Sequence, residues 1–383
     1  MRIVHWFPNF LAGGGVANAV LGLANAQAAA GADVSIASLA HDRAIYGSQQ
    51  LDQRVRLASW EGGTARGIGG LRIHAMRPAS MRALRAMEPD VVHVHAEFNP
   101  DNWWPPRIWR CPLVLSPHGA FHPAVRQRGA RAKWLYAAVA QPLLYARATR
   151  LHALSPAEAR DIRAALPDAV TYCVPQGPSP SLRSCETSSI VRDDGPVSFM
   201  FVGRIDVQVK GLDVLIEAFA RAVRASGSAV PARLALVGPD WRGGIASMRD
   251  LARNLGVEEL VDFHGTVPAD RIGGLIGGCD VYIQLSRNEG SPLSLNDALV
   301  LGKPAIVSDR IGTVSSPEVA RLPHVNVVEP SPDQAARAIE AALHDLDGLR
   351  AAARAARGEI ASFLSWDRAA VQHLETYAQI AGP

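Results

Sequence analysis

The chain has 383 residues, of which 48% are hydrophobic and 20% charged, proportions typical of a globular protein large enough for two domains. Its formal net charge of +3 is too small to indicate nucleic-acid binding, so any basic surface must be local. The four cysteines lack metal-type or redox-type spacing, which predicts ordinary thiols in a reducing compartment. Because no signal-peptide pattern and no run of 18 or more apolar residues occurs, we expect a cytoplasmic protein.

In the first half of the chain, short apolar runs alternate with alanine-rich helical patterns. RIVHWF predicts a strand, and Gly13–Gly15 follow it before a helical pattern that ends at Gly31. Further strand candidates are DVSIASL, DVVHVHA, PLVLSPHG and ATRLHALS, the last leading into the helical run PAEARDIRAAL. Strands separated by helices of this length predict right-handed crossovers and a parallel sheet.

The second half repeats this alternation after a linker. Residues 175–196 are rich in proline, serine and glycine and lack periodicity. The next strand candidates are VSFMFVGR, ARLALVGP, VDFHGTV, DVYIQLS, PAIVSD and VNVVEP. The final segment predicts an amphipathic helix that must cover an apolar surface, with apolar spacing at Phe363, Trp366, Ala370, Leu374 and Tyr377. We therefore predict two doubly wound α/β domains, whose ligand sites lie beyond the carboxyl ends of the strands.

The Gly13–Gly15 loop joins a predicted strand to a helix. Glycine allows close approach of a ligand to the backbone, and a helix start offers amide groups to an anion. A dinucleotide fingerprint would need glycine or alanine where Asn18 stands, and no acid follows the second strand near Ser38. The loop therefore predicts contact with a ligand or partner domain, and no nicotinamide cofactor.

Two cations mark the start of the second half. Arg204 follows a predicted strand that ends at Gly203, and Lys210 lies just before a helix that begins near Gly211. Arginine can chelate two phosphate oxygens and lysine supplies a point charge, so the pair suits a diphosphate without a metal. The alternative is a pair of solvated surface cations.

Two carboxylates frame the start of another helical pattern. Glu289 precedes the turn Gly290–Pro292, and Asp297 lies eight positions after Glu289. A helix start attracts negative charge, because its unpaired N–H groups and its dipole point outward. Two interpretations remain open: a ligand site at this helix start, or a capping Glu289 with Asp297 solvated on the surface.

Three histidines lie at or near strand ends. His118 directly follows the strand PLVL, which predicts a position at a ligand site, although a hydrogen-bonded turn residue is the alternative. His93 and His95 alternate in VVHVH and therefore share one strand face. They suggest a metal pair, but no third ligand is evident nearby, so we expect a packed strand and no metal.

The whole pattern resembles a known family. VGRID…KGLDVLIEAF, followed by EGSPLSLNDALVLGKPAIVSD and SWDRAA…LETY, is similar to the family-4 retaining glycosyltransferases of the GT-B fold. In the first half the resemblance depends on the glycine loop, VVHVHAEF, SPHGAFHP and RLHALSPAEARDI. It implies two Rossmann-like domains that face a cleft and a C-terminal helix that crosses back to the first. The implied parts are an acceptor-binding domain over 1–178, a linker over 179–195, a nucleotide-sugar-binding domain over 196–362 and a closing helix over 363–383.

The resemblance also implies an activity. The expected reaction moves a hexosyl unit from a nucleoside diphosphate sugar to an acceptor hydroxyl, with retention and without a metal or cofactor, in bacterial-type polysaccharide or glycolipid synthesis. The expected catalytic residues are His118, Arg204, Lys210 and Glu289. The expected donor-binding residues are Gly14, Gly15, Gly203, Arg204, Lys210, Val267, Glu289, Gly290, Ser291, Pro292, Leu293 and Asp297.

Glu289 would contact the donor sugar and Asp297 the ribose of the nucleotide. Two positions depart from the family pattern, because Asp297 stands where the family has glutamate and Gln176 where it commonly has asparagine. A nucleotide-sugar epimerase of the same fold and a non-catalytic nucleotide-sugar-binding subunit therefore remain alternatives.

A basic and aromatic segment follows His118. It contains Arg126, Arg128, Arg131, Lys133 and Trp134. Such a cluster can dock on anionic lipid headgroups and would place the enzyme on the inner membrane face, near a lipid-linked acceptor. A solvated helix face or a site for a soluble acidic acceptor fits the same residues.

Overall fold

The computed structural model describes residues 1–40, 51–68, 71–127, 136, 141–184, 195–227 and 231–382. The chain forms two compact units: a first unit of Met1–Pro180 with Ser365–Pro383, and a second unit of Ser181–Leu364.

The first unit is built on a parallel sheet. Its strands are β1 (Arg2–Trp6), β2 (Asp33–Leu39), β3 (Arg56–Trp60), β4 (Gly62–Ile68), β5 (Leu71–Met76), β6 (Val91–His95), β7 (Leu113–Ser116), β8 (Ala148–Ala153) and β9 (Thr171–Cys173). Over the described residues, the sheet order is β3-β2-β1-β6-β7-β8-β9, and β4 pairs with β5 as a separate antiparallel hairpin. Its helices are α1 (Gly15–Ala29), α2 (Pro78–Arg85), α3 (Pro105–Ile108), α4 (Pro123–Gln127), α5 (Gln141–Arg147) and α6 (Pro156–Ala165).

The second unit has the same plan. Its strands are β10 (Val197–Val202), β11 (Ala232–Val237), β12 (Val261–Gly265), β13 (Val281–Gln284), β14 (Ala305–Ser308) and β15 (Val325–Val328). The described strands pair in parallel in the order β12-β11-β10-β13-β14-β15. Its helices are α7 (Val207–Lys210), α8 (Leu212–Ser226), α9 (Gly244–Asn254), α10 (Ala269–Gly278), α11 (Leu293–Val300), α12 (Pro317–Ala320), α13 (Pro332–His344) and α14 (Leu346–Phe363). The chain reverses its direction of strand addition between β10 and β13, where a doubly wound sheet opens a ligand crevice.

Both faces of each sheet are covered by apolar side chains. In β10, Phe199 and Phe201 belong to one apolar cluster, whereas Met200 and Val202 belong to another. Side chains alternate between the faces of a strand, so each cluster fills one side of the sheet. This explains why the central strands appear in the sequence as continuous apolar runs.

The tail helix α15 (Trp366–Ala381) packs within the first unit. Ser365 caps it by accepting hydrogen bonds from the backbone N–H groups of Asp367 and Arg368, at 3.2 and 3.4 Å. The indole N–H of Trp366 donates to the carbonyl of Pro178 at 2.6 Å. Tyr377 is fully buried in a cluster that includes side chains of β1 and α1. No helix of the described residues has the length and apolarity needed to cross a membrane.

A substitution at Gly22 tests this packing. A Cβ atom at Gly22 in α1 would lie 2.3 Å from Cε2 of Trp366, whereas one at Gly274 in α10 would meet no atom within 4 Å. We expect Gly22→Ala to lower the free energy of unfolding by about 1–3 kcal/mol, because the buried indole must shift. Gly274→Ala should raise it by about 0.5–1 kcal/mol. Urea denaturation measures the free energy of unfolding of both variants. An unchanged midpoint for Gly22→Ala would show that α15 shifts away from α1 without a loss of stability.

Candidate functional site

The second unit places Lys210 at the carboxyl edge of its sheet. The chain leaves β10 through Gly203 and enters the short helix α7, which Asp206 caps by accepting from the N–H of Val209 at 3.2 Å. Lys210 ends this helix, and Gly211 follows with a left-handed φ of 62°. A Cβ at Gly211 would lie 2.1 Å from the carbonyl oxygen of Leu285, which directly follows β13. Glycine is therefore required here, and it brings Lys210 next to the end of β13.

Lys210 forms a part-buried ion pair with Glu289. Its Nζ contacts Oε1 of Glu289, and the two side chains are 14% and 19% exposed. Burial lowers the pKa of Lys210 to about 8; the charge of Arg204 acts in the same direction, and that of Asp206 opposes it. The Glu289 carboxylate itself favours the charged ammonium. Lys210 and Glu289, which belong to separate motifs of the sequence, thus meet.

The N-cap residue of the helix beside this pair gives it no side-chain cap. Helix α11 begins after Pro292, which cannot cap it, and its first turn contains no acidic residue. The interpretation of Glu289 as a cap is therefore wrong. The backbone of Glu289 is held instead by the segment after β14, since its N–H donates to Arg310 at 3.2 Å and its carbonyl accepts from Gly312 at 2.9 Å. The N-terminus of α11 offers the positive end of its dipole next to Lys210.

Arg204 stacks on an aromatic residue that the sequence analysis missed. Its guanidinium carbon lies 4.3 Å from the ring centroid of Trp241, and its Nη2 donates to Asp206 at 3.2 Å. Trp241 follows β11 and is 40% exposed, and Arg242 lies 5.4 Å from the same ring. The position of Trp241 just after a strand candidate, in the turn Gly-Pro-Asp-Trp, could have indicated that it lies at the site.

Asp297 is buried in α11. It is 1% exposed, so the interpretation of this residue as a solvated surface acid is wrong. Burial, with the charge of Asp297 adding to it, raises the pKa of Tyr282, while a hydrogen bond with Ser294 opposes the shift. The Tyr282 hydroxyl lies 2.7 Å from Oε1 of Gln284 and 2.9 Å from Oγ of Ser294. Asp297 thus lies beside a buried polar network.

The other expected donor-binding residues border the same edge. Val267 follows β12 and is part-buried. Gly290, Ser291, Pro292 and Leu293 form the turn into α11, and Oγ of Ser291 accepts from the hydroxyl of Thr313 at 3.1 Å.

In the first unit, Gly14 and Gly15 open α1. Gly14 takes the N-cap position with a φ of 99°, and no side chain of the described residues caps the helix. Both glycines are exposed, so their amide groups are accessible.

His118 follows β7 in a loop whose backbone is hydrogen-bonded to the buried carboxylate of Glu158. Its backbone is left-handed, with a φ of 54°. Glu158 accepts from the N–H groups of Gly119 at 2.6 Å and Leu154 at 2.8 Å. The imidazole is part-buried, and desolvation lowers the pKa of His118 to about 3. A neutral imidazole is therefore presented at the carboxyl edge of this sheet.

A third histidine joins His93 and His95. His5 on β1 lies in register with His93 on β6, and one ring nitrogen from each of the three lies within 4.8 Å of the others. The expectation that no third ligand lies nearby is thus wrong, because neighbouring parallel strands bring distant residues together. Every nitrogen of these rings already has a hydrogen-bond partner in the protein.

The basic segment after His118 is described only in part. Arg126 is exposed, and its guanidinium lies 6.0 Å from the ring centroid of Phe121. Arg128, Arg131, Lys133 and Trp134 lie outside the described residues.

Two family models match the chain. A glycosyl transferase 4-like domain model matches residues 14–177, and a glycosyl transferases group 1 model matches residues 186–359. Together they span most of the sequence and both units. The chain therefore belongs to the group 1 glycosyltransferases and has the GT-B fold.

Solved structures show the same fold at low sequence identity. Sucrose-phosphate synthase from Thermosynechococcus elongatus is 20% identical with a TM-score of 0.74, over 99% of this chain and 98% of that one. HepE from Anabaena, solved with UDP and glucose, is 18% identical with a TM-score of 0.75, over 98% and 99%. WaaG, a glycosyltransferase involved in lipopolysaccharide biosynthesis, is 19% identical with a TM-score of 0.66, over 100% of each chain. A sequence comparison with curated proteins gives no match.

Proposed function

We propose that this glycosyltransferase moves a hexosyl unit from a nucleoside diphosphate sugar to an acceptor hydroxyl with retention of configuration. The observation that carries the proposal is the contact between Lys210 and Glu289, the residue before the turn that ends at Pro292, the N-cap of α11. This contact supports a role for Lys210 as the cation for a diphosphate beside Glu289 as the acceptor of sugar hydroxyl protons. UDP is the favoured nucleotide, because HepE was solved with UDP and with UDP-glucose.

The leaving diphosphate develops negative charge as the glycosidic bond breaks. Arg204, Lys210 and the amide groups of α11 stabilise that charge, and such pre-oriented stabilisation is usually the largest contribution to rate. The diphosphate oxygen takes the proton of the attacking hydroxyl on the face that it leaves, so configuration is retained and no protein nucleophile is needed. Two cations and a helix start supply the charge that a divalent metal would otherwise supply.

Glu289 and Asp297 have different tasks in this mechanism. Glu289 accepts hydrogen bonds from hydroxyls of the transferring sugar, whose charge changes during the reaction. Asp297 holds the ribose, and because it is 1% exposed in the free chain, this contact needs a bridging water or a local opening around α11. A lipid-linked acceptor in glycolipid or polysaccharide synthesis would suit the basic segment that begins at Arg126.

A thermal-shift screen with UDP-, GDP- and ADP-sugars, followed by turnover assays, tests the proposal. A donor at 100 times its Kd stabilises by about 2.7 kcal/mol, which raises the Tm of a domain of this size by about 5–10 °C. We expect UDP-sugars to give this shift and transfer to continue in EDTA. Isomerisation of the donor without acceptor would show an epimerase instead, and binding without any turnover would show a non-catalytic subunit.

A further inference from the structure

A line of buried hydrogen bonds joins Gln27 in α1 to His118. Oε1 of Gln27 lies 2.7 Å from Nε2 of His5, and Nδ1 of His5 lies 2.9 Å from Nε2 of His95. Nδ1 of His95 then lies 3.2 Å from Nε2 of His118. Gln27, His5 and His95 are 0%, 0% and 2% exposed, so water does not compete for the first two contacts.

A second line runs from a backbone carbonyl to the tail helix. Nε2 of His152 lies 2.8 Å from the carbonyl oxygen of Val174, and Nδ1 of His152 lies 2.6 Å from Oγ of Ser116. The same Oγ lies 2.5 Å from Nε2 of His93. Nδ1 of His93 lies 2.5 Å from the hydroxyl oxygen of Tyr377.

These histidines are neutral at physiological pH. Burial lowers the pKa of His5 and of His152 to about 4 and holds the pKa of His93 and of His95 well below the ordinary value. A neutral imidazole has one N–H donor and one acceptor nitrogen. The direction of one hydrogen bond therefore determines the direction of the next.

The carbonyl of Val174 sets the direction of the second line, because a carbonyl only accepts. Nε2 of His152 must carry the proton, so its Nδ1 accepts from the hydroxyl of Ser116. The oxygen of Ser116 then accepts from Nε2–H of His93, and Nδ1 of His93 accepts from Tyr377. The hydroxyl of Tyr377 therefore donates to His93, and the oxygen of Tyr377 can only accept further hydrogen bonds.

Oε1 of Gln27 sets the direction of the first line, because a carbonyl oxygen only accepts. Nε2 of His5 therefore carries the proton, and Nδ1 of His5 accepts from Nε2–H of His95. Nδ1 of His95 then accepts from Nε2–H of His118.

We infer that Gln27 is a positioning residue that holds His118 as its Nε2–H tautomer. Nδ1 of His118 has no partner among the described residues and keeps its lone pair, so it accepts a hydrogen bond from a substrate hydroxyl. The role toward substrate rests on the proposed function, whereas the tautomer is a property of the free chain.

The tautomer can be measured by ¹⁵N NMR of the protein labelled at its 12 histidines, with His118 assigned by its loss in His118→Gln. We expect the wild-type Nε2 to carry the proton and Nδ1 to carry none. Gln27→Met should produce a mixture of tautomers and lower kcat/KM by about 2- to 10-fold, the effect of one neutral hydrogen bond.

Tyr172→Phe is the matched control. Tyr172 lies 2.9 Å from Nδ1 of His373 and is hydrogen-bonded to Tyr377 of the second line. It has no hydrogen bond to the first line among the described residues, so its loss should leave the His118 resonances unchanged. A proton on Nδ1 of wild-type His118, or a tautomer insensitive to Gln27→Met, would overturn the inference. If Gln27→Met does not fold, the wild-type spectrum still decides. An inactive chain with the expected tautomer would refute the proposed function alone.

Discussion

Replacing Lys210 with methionine is expected to lower kcat/KM for the donor by about 10- to 150-fold, the effect of one charged hydrogen bond. The substitution also leaves Glu289 part-buried without its cation, so the loss should lie toward the upper end. Wild-type donor KM should rise as the pH passes about 8, because the diphosphate binds the ammonium and the pKa of Lys210 is about 8. This pH dependence should be absent in Lys210→Met.

Arg350→Met provides a control of matched burial. Arg350 pairs with Asp280 at 2.5 Å, and the two side chains are 20% and 17% exposed. Asp280 directly precedes β13, whereas Glu289 follows it, so the two ion pairs lie beyond opposite ends of the strands. Arg350→Met should lower the free energy of unfolding and leave kcat/KM near the wild-type value. Equal losses of kcat/KM in both variants would mean that Lys210 acts only through stability.

The central strands could be predicted from the sequence because each is an apolar run buried on both faces. The strands that the sequence analysis missed are β3, β4, β5 and β9. β3 and β9 lie at the two edges of the sheet of the first unit, where one side lacks a neighbour and polar residues are tolerated. RLASW and TYC are accordingly mixed in polarity and short, so hydrophobic periodicity does not identify them.

The chemistry of the candidate site was foreseeable, but its contacts were not. The motifs indicated Lys210 and Glu289 separately, and their meeting depends on the close approach of Gly211 to Leu285 across two segments. His5 joins His93 only through the pairing of β1 with β6. Such contacts follow from strand order and register, which periodicity does not specify.

Acidification is expected to unfold the first unit between pH 6.5 and 4. Five of its histidines are at most 4% exposed, and burial lowers the pKa of each: His5, His93, His95, His152 and His373. Because their folded pKa values lie below the unfolded value of 6.5, their contribution is complete above pH 6.5 and is lost as the pH falls toward 4. A group whose folded pKa is about 4, such as His5 or His152, costs about 2 kcal/mol at pH 5. The other three histidines act in the same direction, against a typical domain stability of about 5–15 kcal/mol. Burial raises the pKa of Glu97 to about 7, which opposes part of this loss.

Tryptophan emission can follow this transition, since Trp241 alone of the eight tryptophans belongs to the second unit. Urea denaturation at pH 7.5, 6 and 5 gives the free energy of unfolding, whose slope with pH counts the protons taken up. His5→Gln should reduce that uptake near pH 5.5 by about one proton, because one buried imidazole no longer titrates. His264→Gln, at an exposed position of the second unit, should leave the uptake unchanged. A free energy of unfolding that is constant from pH 7.5 to 5 would mean that the folded chain takes up as many protons as the unfolded chain. The histidines would then not stay neutral in the fold, and the hydrogen-bond directions that depend on their neutrality would fail.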